Sequence, residues 1–304
     1  MSNLPIVDEA SVQIEKIAKA IHKRCKQLTS QDELKLEEQG QDYLNLLEKR
    51  TIESATTYDK PVVVVVVTSK SEAQYKETPE YKTIENQIYL NSTYVNGGVK
   101  TPLTVEIEGN NTVGYSAVYN NYFSEKYEDS YVCFIKDDVK ITDINFFQKL
   151  QEAHRRSEVV GVAGATKVQI PFSLKKPTLW TSLSTYPDPK TGKPSKHQSG
   201  SYTTNLDGKS ISVNYGSSPA ICRFIDGLFM SFDVAKSVGY GFSFDERFPV
   251  DHHDLSACLI AAKCGLNIST WPISIEKTTF PKDAGIHWQQ SHAKFVQVYK
   301  DFKI

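Results

Sequence analysis

The pattern of hydrophobic and polar positions divides the chain near residue 58. Before that point the sequence is highly charged, and apolar residues such as Val12 and Ile17 recur at roughly helical spacing. Ser30 followed by Glu33 resembles a capping box, which predicts that a second helix begins there. We therefore predict a helical N-terminal extension at residues 1–58. It would pack on the main domain or, alternatively, mediate homo-oligomerisation or peripheral contact with a membrane surface.

From residue 59 onward, predicted strands alternate with predicted helices. Val62–Val67 is a run of six β-branched residues, typical of a strand buried on both faces at the centre of a parallel sheet. Further strands are predicted at Pro102–Ile107, Tyr131–Val139, Val159–Gly164 and Leu266–Ile275, and helices at Val113–Phe123, Ile144–Arg156, Leu255–Ala262 and Lys294–Phe302. This order predicts one α/β domain at residues 59–304, with a mainly parallel central sheet flanked by helices.

The stretch Pro171–Pro219 has a different composition, in which Pro, Gly, Ser, Thr and Lys dominate. A loop of this length inside a compact domain is usually functional or disordered. We expect it to close over a bound ligand and exclude water. Trp180 and Tyr186 lie within it and could stack on a flat face of that ligand.

Composition and charge exclude several classes of protein. The 304 residues carry a formal net charge of −1, so no basic field indicates a nucleic-acid partner. There are five Cys, an odd number without a Cys-x-x-Cys pair, which favours reduced thiols and a cytoplasmic location. No apolar run is long enough to predict a transmembrane segment.

Two adjacent carboxylates, Asp137 and Asp138, end the predicted strand at Tyr131–Val139. The end of a strand is where an open α/β sheet places its ligand. Two acids at that position could hold a hard divalent cation against a diphosphate. The alternative is a solvated turn, because Asp is common after strands.

Acids and a glycine recur later at the ends of predicted elements. Gly227 in the pair Asp226-Gly227 would let a ligand approach the backbone closely, or would form a plain turn. Asp254 begins the predicted late helix, where it would be an N-cap or a general base. Asp251 is a rival candidate for the base.

Histidines are candidates for metal ligands. Neighbouring His252 and His253 suggest zinc only weakly, because adjacent His residues rarely face one metal. His287 and His292 could each supply a third ligand to a metal at Asp138, or be surface residues on a loop.

Taken together, the order and spacing of these elements resemble glycosyltransferase-like proteins related to glycosyltransferase family two. The segments that carry the resemblance are Ser116–Asn120, Phe134–Val139, Gly161–Gly164, Asp226-Gly227, Phe244–Phe248 and Asp254–Leu259, with Gly265 after the last helix. The resemblance implies a GT-A fold. The chain departs from the family pattern at Lys136, at Ser256 and at Glu276-Lys277, where a His is expected.

The resemblance also implies roles for individual residues. Asp137, Asp226 and Gly227 would bind the donor, and Asp138 with His287 would ligate Mn²⁺ or Mg²⁺. Thr68 and Ser69 would flank the nucleobase of the donor, with Glu106 or Glu108 near its uracil. Asp254, or its rival Asp251, would be the catalytic base.

The sequence thus predicts a metal-dependent, inverting glycosyltransferase. It would move a sugar from a nucleoside-diphosphate donor, expected to be a UDP-sugar, to a hydroxyl acceptor, expected to be a glycan. Two alternatives remain. One is a nucleotidyltransferase acting on sugar phosphates, and the other is a carbohydrate-binding protein without catalytic activity.

Overall fold

The computed structural model describes residues 60–93, 102–167, 197–206, 209–279 and 285–302. The predicted helical extension at residues 1–58 lies outside this part, as do Trp180 and Tyr186. The extension, its role in oligomerisation or membrane contact, and the division of the chain at residue 58 therefore stay predictions.

The described residues form two β-sheets with flanking helices, which confirms the predicted α/β class. The strands are β1 (Val62–Val67), β2 (Leu103–Glu108), β3 (Tyr131–Lys136), β4 (Val139–Ile141), β5 (Val159–Gly161), β6 (Ala163–Ala165), β7 (Gln198–Leu206), β8 (Lys209–Gly216), β9 (Ala220–Ile221), β10 (Phe224–Ile225), β11 (Phe229–Asp233), β12 (Ile268–Thr270) and β13 (Ile275–Lys277). The helices are α1 (Glu72–Lys76), α2 (Pro79–Thr93), α3 (Tyr115–Asn120), α4 (Phe146–His154), α5 (Val234–Gly239), α6 (His253–Lys263) and α7 (Ile286–Tyr299), and a 3₁₀ turn covers Glu125–Tyr127.

The first sheet has seven strands in the order β2-β1-β3-β11-β5-β12-β9. Strand β1 is parallel to β2 and β3, and β12 is parallel to β5. Strand β11, however, is antiparallel to both of its neighbours, and β9 is antiparallel to β12. The sheet is therefore mixed: five of its seven strands run in one direction, as the prediction of a mainly parallel sheet requires, whereas β11 and β9 run the opposite way. An apolar run reports burial on both faces, which β11 shares with β1, and it carries no information about strand direction.

The second sheet has the order β10-β6-β7-β13-β4, and β8 pairs with β7. Strands β7 and β8 form an antiparallel hairpin inside the stretch that was predicted to be a loop. The prediction is wrong for this part of Pro171–Pro219, and the rest of that stretch, up to residue 196, lies outside the described residues. Most of β8 is exposed and polar, so it lacks the apolar signal of a buried strand.

Several element boundaries also differ from the prediction. The run Val159–Gly164 divides into β5 and β6, which belong to different sheets, and Leu266–Ile275 divides into β12 and β13. Helices α1 and α2, which follow the first strand, were not predicted. Helix α7 begins at Ile286 instead of Lys294, so His287 is helical and not on a loop.

The core lies on both faces of the first sheet. All six valines of β1 are buried, as their β-branched pattern predicts. Phe134 of β3 stacks on Tyr119 of α3 with ring centroids 3.9 Å apart. Tyr119 in turn contacts the ring of His253, the first residue of α6, at 6.0 Å. This line of aromatic rings positions the start of α6 relative to the end of β3.

Candidate active site

The site begins where β1 and β3 end side by side. The two strands are parallel with Val67 opposite Lys136, which makes Thr68 and Asp137 neighbours. The hydroxyl of Thr68 donates a hydrogen bond of 2.6 Å to Asp137 Oδ2, and Thr68 is buried. The structure therefore brings two of the predicted donor-binding residues together, whereas Ser69 is exposed beside them.

Asp138 is fixed by the segment that follows β13. Strand β13 pairs antiparallel with β4, with Lys277 opposite Val139. The N–H and the hydroxyl of Thr278 donate to the main-chain oxygen of Asp138 at 2.8 and 3.0 Å. Asp138 Oδ2 accepts a hydrogen bond from the Thr279 hydroxyl and lies 3.5 Å from the ammonium of Lys277.

A cavity of about 430 Å³ opens over these residues. Its charged lining comprises Lys70, Lys136, Lys277, Glu80, Asp137 and Asp138. Three ammonium groups thus face the same space as three carboxylates. A balanced set of this kind can hold an anion through its lysines without leaving the carboxylates unpaired.

Lys136 connects this cavity to a second group of acids. Although burial lowers the pKa of Lys136, the neighbouring Tyr115, Asp226 and Asp254 raise it above its ordinary value. Its Nζ also lies 5.7 Å from the centre of the Tyr115 ring. Lys136 therefore stays an ammonium ion between the strand-end acids and the acids at the start of α6.

The turn between β10 and β11 contacts the start of α6 through Asp254. The Gly227 N–H donates to Asp254 Oδ2 at 3.0 Å, and the Leu255 N–H donates to Oδ1 at 2.9 Å. Burial acts to raise the pKa of Asp254, but His253, Lys136 and the Gly227 N–H outweigh it and leave the pKa below its ordinary value. Each oxygen of this carboxylate thus accepts one hydrogen bond from a backbone N–H.

The pKa of Asp226 shifts in the opposite direction to that of Asp254. It accepts a 2.8 Å hydrogen bond from the Leu228 N–H. Burial, followed by the charge of Asp254, raises the pKa of Asp226. Two carboxylates whose environments shift their pKa values in opposite directions are typical of sites that handle protons.

Helix α6 begins one residue before Asp254, so Asp254 is not its N-cap. The N-cap is His252, in the left-handed region at φ 65°, without a side-chain cap. Its ring hydrogen bonds at 3.0 Å to the Ser291 hydroxyl and at 3.1 Å to His292 Nδ1, both on α7. Helix α7 therefore holds the unusual backbone conformation that precedes α6.

Asp251 is the acid of this group that is free to accept a proton. Within the described ranges no hydrogen bond reaches its carboxylate, and the side chain is partly exposed. Burial raises the pKa of Asp251, Asp254 adds to this shift, and Lys136 and His287 only partly oppose it. Asp251 thus differs from Asp254 in its hydrogen bonding and in the direction of its pKa shift.

The predicted metal site at Asp138 and His287 stays a prediction. In the part of the chain that the structure describes, no three His, Cys, Asp or Glu side chains are arranged to hold a metal ion. His287 lies in the first turn of α7, where its charge acts on Asp251. Asp138 Oδ1 is buried without a partner, but Oδ2 faces the Lys277 ammonium. The Lys277 ammonium therefore lies beside the carboxylate that was predicted to hold Mn²⁺ or Mg²⁺.

The two histidines that suggested zinc have structural partners instead. His253 Nδ1 lies 2.6 Å from the main-chain oxygen of Val250, and His252 contacts α7 as described. Burial lowers the pKa of each ring to about 4. Both rings are therefore neutral at pH 7.

Glu106 and Glu108, predicted to lie near a uracil, project from β2 towards two tyrosines. The Tyr122 hydroxyl donates to Glu108 at 2.6 Å, and the Tyr127 hydroxyl contacts both oxygens of Glu106 at 2.9 and 2.8 Å. The main-chain oxygen of Glu108 accepts from the Thr68 N–H at 3.0 Å. Of the two acids, Glu108 is therefore the one at the strand-end site.

Sequence reasoning missed Lys70, Tyr115 and Thr279 and recorded Lys277 only as a departure from a pattern. Lys277 and Thr279 follow the end of β13, which was hidden inside a longer predicted strand. A break at Pro272 was the available signal, because Pro interrupts the hydrogen-bond ladder of a strand.

Comparisons with known proteins give a distant structural likeness. No protein-family model and no curated protein matches the sequence. The fold is similar to a crystal structure of S. aureus TarS residues 1–349 in complex with UDP, with 13% identity, 80% of this chain and 72% of that chain covered, and a TM-score of 0.36. Such low values leave the function to be inferred from the site itself. Among the described helices, none is long and apolar enough to cross a membrane.

Proposed function

We propose that the protein transfers a sugar from a nucleoside-diphosphate donor to a hydroxyl acceptor. The observation that carries this proposal is the position of Lys136. It lies between a cavity lined by lysines at the carboxyl ends of β1 and β3 and a group of acids around the start of α6. A transfer of this kind requires a site with an anion-binding half and, next to it, a proton-accepting half.

In the anion-binding half, the donor diphosphate would lie near the lysines of the cavity, and Asp137, oriented by Thr68, would accept hydrogen bonds from the ribose. Ammonium groups bind phosphate oxygens through short, charge-assisted hydrogen bonds. The nucleoside would extend towards Glu108, and we propose uridine as the base. No step is assigned to Mn²⁺ or Mg²⁺, because the Asp138 carboxylate already lies beside the Lys277 ammonium.

In the other half, Asp251 would be the general base, since its carboxylate is available and its pKa is raised. The acceptor oxygen would form a bond to the anomeric carbon while the bond from that carbon to the diphosphate oxygen breaks. The acceptor proton would pass to Asp251, and the diphosphate would leave with the bonding electron pair. A single displacement of this kind inverts the anomeric centre, and we propose a glycan as the acceptor.

The test is a product assay on the full chain with a panel of nucleotide sugars and simple glycan acceptors. Release of nucleoside diphosphate with a glycosylated acceptor supports the proposal, whereas release of pyrophosphate from a nucleoside triphosphate and a sugar phosphate indicates a nucleotidyltransferase. Asp129→Asn, which removes one exposed charge away from the site, is the matched control for Asp251→Asn. Equal turnover in these two variants would contradict the assigned base.

A further inference from the structure

Two acids of the cavity, Asp137 and Asp138, each have one carboxylate oxygen with a partner in this chain, while Asp138 Oδ1 is buried without one. Asp137 accepts a hydrogen bond from Thr68 at 2.6 Å. Asp138 accepts one from Thr279 through the oxygen that also lies 3.5 Å from the Lys277 ammonium. These contacts tie the end of β3 in the first sheet to the end of β13 in the second.

Lys277 is held in place more firmly than a surface lysine. Its side chain is 14% exposed, and its backbone continues β13 against β4. Thr278, the next residue, donates twice to the main-chain oxygen of Asp138. The Lys277 ammonium therefore has a defined position at the wall of the cavity, together with Lys70 and Lys136.

A divalent cation at Asp138 would meet this ammonium at close range. A site for Mg²⁺ usually consists of one or two carboxylates together with the phosphates of the substrate. This cavity instead has as many lysines as carboxylates in its lining. An ammonium has three N–H donors, so Lys277 can keep its contact with Asp138 and bond a phosphate oxygen at the same time.

We propose that Lys277, positioned by Asp138 and assisted by Lys70 and Lys136, binds the donor diphosphate in place of a divalent cation. This inference rests on the proposed function and deepens it. Asp138 is then a positioning residue for Lys277. The negative charge that develops on the leaving diphosphate is neutralised by ammonium groups of the chain itself.

The experiment is calorimetric titration of the full chain with UDP, and with GDP as a second probe, in EDTA and in Mn²⁺. We expect the affinity of a nucleotide that binds to be similar in EDTA and in Mn²⁺. Lys277→Met should weaken binding in EDTA by about tenfold or more, since hydrogen bonds to charged groups are strong. Lys277→Arg should recover most of this loss because it restores the charge, and Asp138→Asn should still bind in EDTA.

The matched control is Lys140→Met. Lys140 lies on neighbouring β4, 3.8 Å from Glu276, with a side chain that is 24% exposed, and it does not line the cavity. The Lys140→Met variant should bind the nucleotide with an affinity within about twofold of that of the unchanged chain, as expected for a partly exposed ion pair outside the site. Melting temperatures of all variants separate lost binding from lost folding.

Three results would overturn the inference. Binding that appears only with Mn²⁺ would leave the proposed function standing and reject Lys277 as the replacement for a cation. Unchanged nucleotide affinity in a folded Lys277→Met variant would likewise reject this role of Lys277 and leave the proposed function standing. Absence of binding by the unchanged chain in both buffers would instead remove the proposed function on which the inference rests.

Discussion

The N–H of Gly227 donates a hydrogen bond of 3.0 Å to Asp254 Oδ2, which joins the turn after β10 to the first turn of α6. The contact depends on the absence of a side chain at residue 227. A Cβ there would lie 2.9 Å from His253 Nε2 and 3.1 Å from Asp254 Cβ. The turn and the helix start therefore form one packed unit, and this unit positions the acids around Lys136.

Gly227→Ala should disrupt this unit. The added methyl group must displace the buried ring of His253, and overpacking of this kind costs about 1–3 kcal/mol. Urea denaturation should detect the loss of stability, and turnover should fall with it. Gly239→Ala is the control, because a Cβ at residue 239 meets nothing within 4 Å. Equal stability of the two variants would show that the close approach at Gly227 is not needed.

The buried His154 should make stability depend on pH. Its ring lies 2.7 Å from the Ser231 hydroxyl and stacks on Tyr131 at 4.1 Å. Burial lowers its pKa from 6.5 to about 4. As the pH falls from 6.5 to 4, the unfolded chain takes up a proton that the folded chain refuses, so stability is lost in that window. The loss from this group is about 3 kcal/mol.

Urea denaturation across that pH range checks this prediction. His252 and His253, whose pKa values burial also lowers to about 4, add to the slope of the unchanged chain. His154→Gln should reduce the slope, whatever it does to the stability at pH 7. A variant whose stability declines with pH as steeply as that of the unchanged chain would rule out His154 as a contributor.

The sequence predicted those parts of the fold that carry a strong local signal. The run of valines in β1 and the apolar run in β3 predicted both strands, and their parallel pairing in the structure brings Thr68 to Asp137. The reversed direction of β11 and the division of the strands between two sheets were not predicted. They depend on contacts between distant segments, such as the pairing of β11 between β3 and β5.

The sequence predicted the part of the site where acids follow strands. It did not predict the lysines that line the cavity. Lys277 reaches Asp138 only because β13 pairs with β4 in a second sheet that the sequence did not reveal. In the same way, the difference between Asp251 and Asp254 depends on the Gly227 N–H, which belongs to a turn distant in the chain. Contacts of this kind leave no periodic pattern in the sequence.

Lys136 should determine the position of the acidic limb, which is the fall in kcat/KM as the pH is lowered. Its positive charge holds down the pKa of Asp251, whose raised value comes first from burial. Lys136→Met removes that charge, so the pKa of the base should rise and the limb should move to higher pH. The pH dependence of kcat/KM measures the shift, with Lys140→Met as the control lysine. Lys136→Arg should restore the original limb, and a limb that stays in place in Lys136→Met would contradict the assignment.

Asp251 and Asp254 should respond differently to the same substitution. Asp251→Asn should lower turnover by about 10²–10⁴-fold, the usual effect of removing a general base, while melting temperature and UDP affinity stay the same. Asp254→Asn should mainly destabilise the protein, because an amide has one acceptor oxygen where the carboxylate accepts from both Gly227 and Leu255. One buried N–H would then lose its partner at a cost of about 1–3 kcal/mol. Turnover measured well below the melting temperature separates the two effects. If Asp254→Asn stays folded and loses turnover while Asp251→Asn stays active, the base is Asp254, and its two backbone hydrogen bonds orient it for catalysis instead of occupying it.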